Sequence, residues 1–267
     1  MCRKAWGFKS PLPQLKEGEM VDLSVFKKFK FERPPVGIKY LLNRPKGIKK
    51  LEGKTLAFCE MLPEAQKGTP FYVTKEDFEC VGPLVLGMEE PNPVFESGQL
   101  GTPLGLFKEA RANRRIYPPI PRLGRGTCRY VVFAPLDKMT FEPDVLVVTA
   151  DPTQAEIILR AHSYTTGKTW KAQGSAVIGC AWLFIAPYLT GELNFTVSNL
   201  SSGWNSRQVL PKGLIVITIP YDLLPMITAN LKEMEWVPKD YLEGRDAHNK
   251  RFEEVAEAAV KDYNAGG

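Results

Sequence analysis

Apolar and polar residues alternate along Val36-Gly37-Ile38-Lys39-Tyr40-Leu41-Leu42, a period of two that predicts a strand. Val36, Ile38, Tyr40 and Leu42 fall on one face, and Gly37, Lys39 and Leu41 on the other. The period then changes. Leu56, Cys59, Leu62 and Ala65 recur at helical spacing within Lys54–Lys67, where Pro63 predicts a kink. Phe71-Tyr72-Val73-Thr74 is a short β-like run, Leu104–Arg115 reads as a helix, and Cys128–Ala134 and Asp144–Thr149 read as strands. Asp151 and Pro152 are an N-cap and a first-position proline for a helix over Thr153–His162. Ser175–Ala186 predicts a buried helix, Leu193–Ser198 and Gly213–Ile219 strands, and Tyr221–Lys232 and Arg251–Tyr263 helices. Asp22–Phe31 reads as a short basic helix after an irregular stretch, 1–19. Strands interleaved with helices predict an α/β or α+β fold.

Two stretches of the chain share one pattern. Cys59 is followed by Gly68, the run Phe71–Thr74 and, 21 residues on, Cys80 ahead of Gly82; Cys180 is followed by Gly191, the run Asn194–Ser198 and, 21 residues on, Ser201 ahead of Gly203. Upstream, GIKYLLNRP parallels VLVVTADP, and downstream YVVFAPLDKM parallels IVITIPYDLL. The expected organisation is an extension (1–35), a first α/β half (36–139) carrying an insert (89–126), a second half (145–224) and a helical tail (225–267). If the halves are pseudo-symmetric, Cys59 faces Cys180, and Ser201 or Ser202 takes the place of Cys80.

Composition narrows the function classes. The 267 residues are 44% hydrophobic and 24% charged, enough for a sizeable core. A net charge of +5 is too mild to imply nucleic acid. No apolar run reaches a bilayer-spanning length, and nothing resembles a signal segment, so a cytoplasmic protein with no membrane partner is expected. Five dispersed cysteines do not suggest a disulfide framework, and no C-x-x-C pair is present. Two histidines argue against His-rich metal sites and Ser-His-Asp chemistry. Gly124-Arg125-Gly126 precedes a strand and not a helix, so no nucleotide motif is found.

Several segments together, PPVGIKYL, FCE, Cys80-x-Gly82, PDVLVVTADPTQAEIIL, GCA and PYLTGELNFTVS, resemble the domain of unknown function 169 family of archaea and anaerobic bacteria, over about residues 30–225. The family supplies no function. The resemblance implies a further cysteine in the second half, just before a Gly-x-Arg-like run. Here that place reads Ser201-Ser202-Gly203-Trp204-Asn205-Ser206-Arg207, which departs from a four-cysteine arrangement.

Cys59, Cys80 and Cys180 form the sharpest constellation. Thiolates bind soft metals and iron–sulfur clusters, and three of them leave one position open. The plainer reading is three small buried apolar residues. A third use is a nucleophilic thiol. Lys39 either lines the same site, holding an anionic substrate or forming an imine, or points to water from an edge strand. Glu60, next to Cys59, is a candidate acid or base, and Arg207 a candidate cofactor-binding cation. Arg111, Arg114, Arg115, Arg122, Arg125 and Arg129 crowd the insert as a solvated face or an anion site. Three functions stay open: a soft-metal or cluster protein, a metal-free enzyme acting on a small anionic metabolite through Cys or Lys39, and an interaction module whose C-terminal helix supports a homo-oligomer.

Overall fold

The computed structural model describes residues 20–265 apart from Asn92 and Leu100. The irregular stretch expected over 1–19, with Cys2, lies outside them. The six strands are β1 (Val36–Leu41), β2 (Phe71–Val73), β3 (Tyr130–Pro135), β4 (Val145–Ala150), β5 (Asn194–Val197) and β6 (Ile215–Pro220). They make one sheet in the order β2-β3-β1-β4-β6-β5, and every pairing is antiparallel. The fold is mixed α/β on an antiparallel sheet. Read outward from its centre, the first-half strands run first, third, second (β1, β3, β2), and the second-half strands do the same (β4, β6, β5). The seam between β1 and β4 is short: Val36, Gly37 and Ile38 pair with Val147, Leu146 and Val145, whereas β1–β3 and β4–β6 each pair six residues.

Side-chain alternation divides the core into two layers. On one face, Leu146 and Val148 of β4 and Ile217 and Ile219 of β6 pack under α5 (Pro152–Ser163) and α8 (Leu224–Glu233). A 3-10 turn, Ser24–Phe29, adds Val25, Phe26 and Phe29 to that layer. On the other face, Val36, Ile38, Val131, Phe133, Val145, Val147 and Val216 meet Phe58, Met61, Leu62, Phe184 and Trp204. The short helices are α1 (Met61–Gln66), α2 (Gly82–Val85), α3 (Pro93–Glu96), α4 (Ala110–Arg114), α6 (Ala186–Thr190) and α7 (Ser202–Ser206), of which α1, α2 and α7 give Met61, Leu62, Val85 and Trp204 to this second layer. The helix α9 (Lys239–Ala265) follows, broken at Gly244 where φ is 79°, and it exposes Leu242, Phe252, Val255 and Val260. Among the described residues no helix is long and apolar enough to cross a membrane.

α5 forms as its ends predict. Asp151 Oδ1 accepts the Gln154 amide at 2.8 Å, the Gln154 side chain accepts the Asp151 amide at 3.1 Å, and Pro152 opens the helix. Elsewhere the expected helices shorten. The first starts only at Met61: Leu56 forms an isolated bridge to Phe78, and Pro63 falls in the first turn, where its missing N–H breaks no bond. Of Leu104–Arg115 only Ala110–Arg114 is helical: Gly105 takes φ 69°, and Glu109, just before the helix, is extended. Of Ser175–Ala186, helix begins at Gly179, after Ile178 at φ 54°, and Ala181–Ile185 winds as a π-helix leading into α6.

Candidate functional site

Cys59 sits in the turn before α1, Cys80 two residues before α2, Cys180 at the start of the helical segment that continues into α6, and Ser201 at the N-cap of α7. All four line one cavity of about 560 Å³, together with Trp204 and Arg207. First-half and second-half residues thus share its wall. The volume falls in the usual range for small-ligand pockets.

A matching hydrogen bond holds each half of the wall. The amide of Phe58, the residue before Cys59, donates to Cys80 Sγ at 3.1 Å. The amide of Gly179, the residue before Cys180, donates to Ser201 Oγ at 3.1 Å. Cys80 Sγ also accepts the Gly82 amide at 3.3 Å. Close approach demands glycine at two points. A Cβ on Gly82 would lie 2.5 Å from Phe78 Cδ1 and 3.1 Å from Phe58 Cβ; one on Gly179 would lie 2.6 Å from Ser201 Cβ.

The thiols are held protonated. Burial pushes Cys59 up to about 12, with neighbouring Cys80 adding to the effect and Arg207 opposing it. Burial raises Cys180 well above the ordinary thiol value, and Cys80 and Cys59 raise it further. Cys80 is also raised by burial, but the two amides and then Arg207 pull it back. Cys80 is therefore the thiol whose anion has the most support. Cys80 thus bears on Cys59, and both bear on Cys180. Among the described residues, however, no group of three or more His, Cys, Asp or Glu is placed to hold a metal ion.

Arg207 ties the halves together. Its Nε lies 3.6 Å from Glu60 Oε2 and 3.9 Å from Glu79 Oε1, and its Nη1 donates to Gly203 O at 3.3 Å. Glu60 Oε2 also accepts the Ala57 amide at 2.9 Å. Glu60 thus shapes the turn that carries Cys59 and anchors Arg207, adjoining the cavity without lining it. Glu89 and Glu90 line the rim and pair with Lys75 and Arg125.

Lys39 is not brought to the thiols. Ile38 and Tyr40 face the layer that holds Cys59 and Cys180, so alternation turns Lys39 to the other face of β1. There its Nζ donates to Glu142 O at 2.6 Å and lies 3.8 Å from Asp144 Oδ1. Nor is β1 an edge strand, since β3 and β4 flank it. Cys128 lies away from the other three, buried in the same layer, with its sulfur against Tyr130 O at 3.4 Å. Of the insert arginines, Arg122 and Arg125 are paired with Glu96 and Glu90.

Sequence reasoning missed Trp204. It is 3% exposed, lines the cavity, and its indole N–H has no partner among the described residues. Its position one residue after Gly203, in the run that stands where a second Cys-x-Gly would, is the signal that could have found it.

The family model of DUF169, described as an uncharacterised ArCR family, matches residues 24–230. The chain belongs to that family. The DUF169 match spans all six strands and the whole cavity wall; only α9 and the end of α8 lie beyond it. An uncharacterized protein of Methanocaldococcus jannaschii, MJ0308, is 25% identical over 205 residues, covering 74% of this chain and 87% of the relative. No solved structure matches the chain.

Proposed function

We propose that this DUF169 protein binds a thiophilic ligand, a soft metal ion or an iron–sulfur cluster, in the cavity between its halves, through Cys59, Cys80 and Cys180. The observation that carries this reading is the convergence of three cysteines, drawn from both halves, on one wall. Thiolates select soft metals and clusters. Local charge points the same way. Arg207 is shared by two carboxylates, so that trio carries net negative charge, and the rim adds two more carboxylates that are only balanced. A cation is favoured there over an anion. Binding would displace the thiol protons, so affinity rises with pH. It would also draw together three groups that are not yet in ligand geometry. Ser201 stands in the fourth place and leaves the bound group one open position.

The test is metal and acid-labile sulfide analysis after anaerobic purification, followed by reconstitution with iron and sulfide or titration with zinc. Stoichiometric loading, lost in Cys59→Ser, Cys80→Ser and Cys180→Ser, is the expected result. A chain that takes up neither iron nor zinc sinks the proposal.

A second reading, a metal-free enzyme with Cys80 as nucleophile, is favoured by the missing ligand geometry and by the two amides on Cys80 Sγ. It predicts no metal dependence and complete block by alkylation of Cys80. Its original form, with Lys39 beside the thiols and an anionic substrate, has less support, because Lys39 faces away and Arg207 is already engaged. Either reading suits a reducing compartment such as the cytoplasm. The matched strand order and matched Phe58 and Gly179 hydrogen bonds support reading the halves as two copies of one unit. The exposed apolar residues of α9 support a homo-oligomer contact, which light scattering with and without residues 239–265 checks.

A further inference from the structure

A buried imidazole lies away from the thiol cavity. His162 is on the last turn of α5, at the place where the stripe Ala155, Ile158 and Leu159 would continue with an apolar residue. It is 3% exposed, and neither Nδ1 nor Nε2 has a hydrogen-bond partner among the described residues. A neutral imidazole carries one donor and one acceptor, and burying such groups unpaired is destabilising. His162 borders a cavity of about 550 Å³, walled by the 167–173 loop, α6 and Glu192–Asn194, which shares no lining residue with the thiol cavity.

The remaining polar groups of that cavity divide clearly. The Asn194 side chain is spent on Gln173 and Trp182, and Thr190 Oγ1 on Ala186 O and the Glu192 amide. Lys168 Nζ is 3.5 Å from Glu192 Oε1. Lys171 makes no ion pair among the described residues. The walls therefore carry one unbalanced full positive charge. The carbonyl ends of α5 and α6 oppose it with about half a charge each at most. Turn amides already engage Ser163 O and Pro187 O there, so the ammonium wins. Trp170 is fixed at the rim by its indole bond to Ser163 Oγ at 2.6 Å and presents an apolar surface.

We propose that this second cavity is a binding site for a small organic or inorganic oxyanion, a carboxylate or phosphate, recognised by Lys171 and by the His162 ring. The site is independent of the thiol reading. The chain has only two histidines, so its imidazole NMR spectrum is directly assignable with His248→Asn. Inorganic phosphate and benzoate are titrated separately into the full chain, following the His162 ring signals. The expected result is a saturable shift with at least one of them. Lys171→Ala should weaken binding by about tenfold, the worth of a charge-assisted hydrogen bond. Glu192→Gln should tighten it, which keeps the test open if another variant folds poorly. His162 signals that do not respond to either anion overturn the proposal. So does a response unchanged in Lys171→Ala and Glu192→Gln, which would mark an adventitious ion only.

Discussion

At the scale of single residues, one feature separates Cys80 from Cys59 and Cys180. All three thiols are raised by burial, and the neighbouring amides of Cys180 and Ala181 also favour the Cys180 anion, yet among the described residues only Cys80 Sγ accepts two amide hydrogen bonds within 3.3 Å, from Phe58 and Gly82. Alkylation consumes the thiolate, so iodoacetamide at pH 8 should modify Cys80 first of the three and all three more slowly than in the denatured chain. Peptide mapping by mass spectrometry measures the order; Cys59 or Cys180 reacting first would contradict it. Stability follows with a defined sign. Cys59 ionises near 12 when folded and near the ordinary thiol value when unfolded. The unfolded chain then loses protons first, and folding stability contributed by the neutral thiol falls as pH rises from about 9 towards 12. In Cys59→Ala that alkaline loss should be smaller in urea titrations at high pH. Ser201 offers the reverse experiment. Ser201→Cys places a thiol where the Gly179 amide already points, and should raise the metal or cluster content of reconstituted protein.

At the scale of elements, much of the fold was legible where a local signal sufficed. Asp151, Pro152 and Gln154 define the start of α5 by their own chemistry, and Asp151→Ala should cost about 1 kcal/mol in chemical denaturation. The 21-residue spacing also singled out Cys59, Cys80, Cys180 and Ser201, and these four residues line one cavity. Two things were not legible. Alternation divided Lys39 from Ile38 correctly but could not say which face of β1 the site would occupy, since that depends on where α1 and the 179–190 segment pack. The late start of the helix at Gly179 is likewise tertiary: the turn there must pass within contact of Ser201. Gly179→Ala should overpack that crossing and destabilise by about 1–3 kcal/mol, read as a shift of the urea midpoint with unchanged slope.

At the scale of the whole molecule, the site depends on how residues 36–139 and 145–224, which carry three strands each, meet. Each half completes its own three strands, with six-residue ladders at β1–β3 and β4–β6. The three-residue seam, the second core layer, the Arg207 link to Glu60 and Glu79, and the hydrogen bonds from Tyr40 Oη to Phe184 O and from Gln66 Nε2 to Thr149 Oγ1 join them. Arg207→Met should loosen that junction, with little effect on secondary structure by circular dichroism but faster alkylation of Cys59 and Cys180. The seam has one more consequence. The covalent link from β3 to β4 runs only through residues 136–144. A chain cut in that stretch would still have every strand pairing available to it. Two separately made fragments, each carrying part of the thiol wall, should then complement one another as a heterodimer, and the cavity would become an intersubunit site that exists only in the assembled pair.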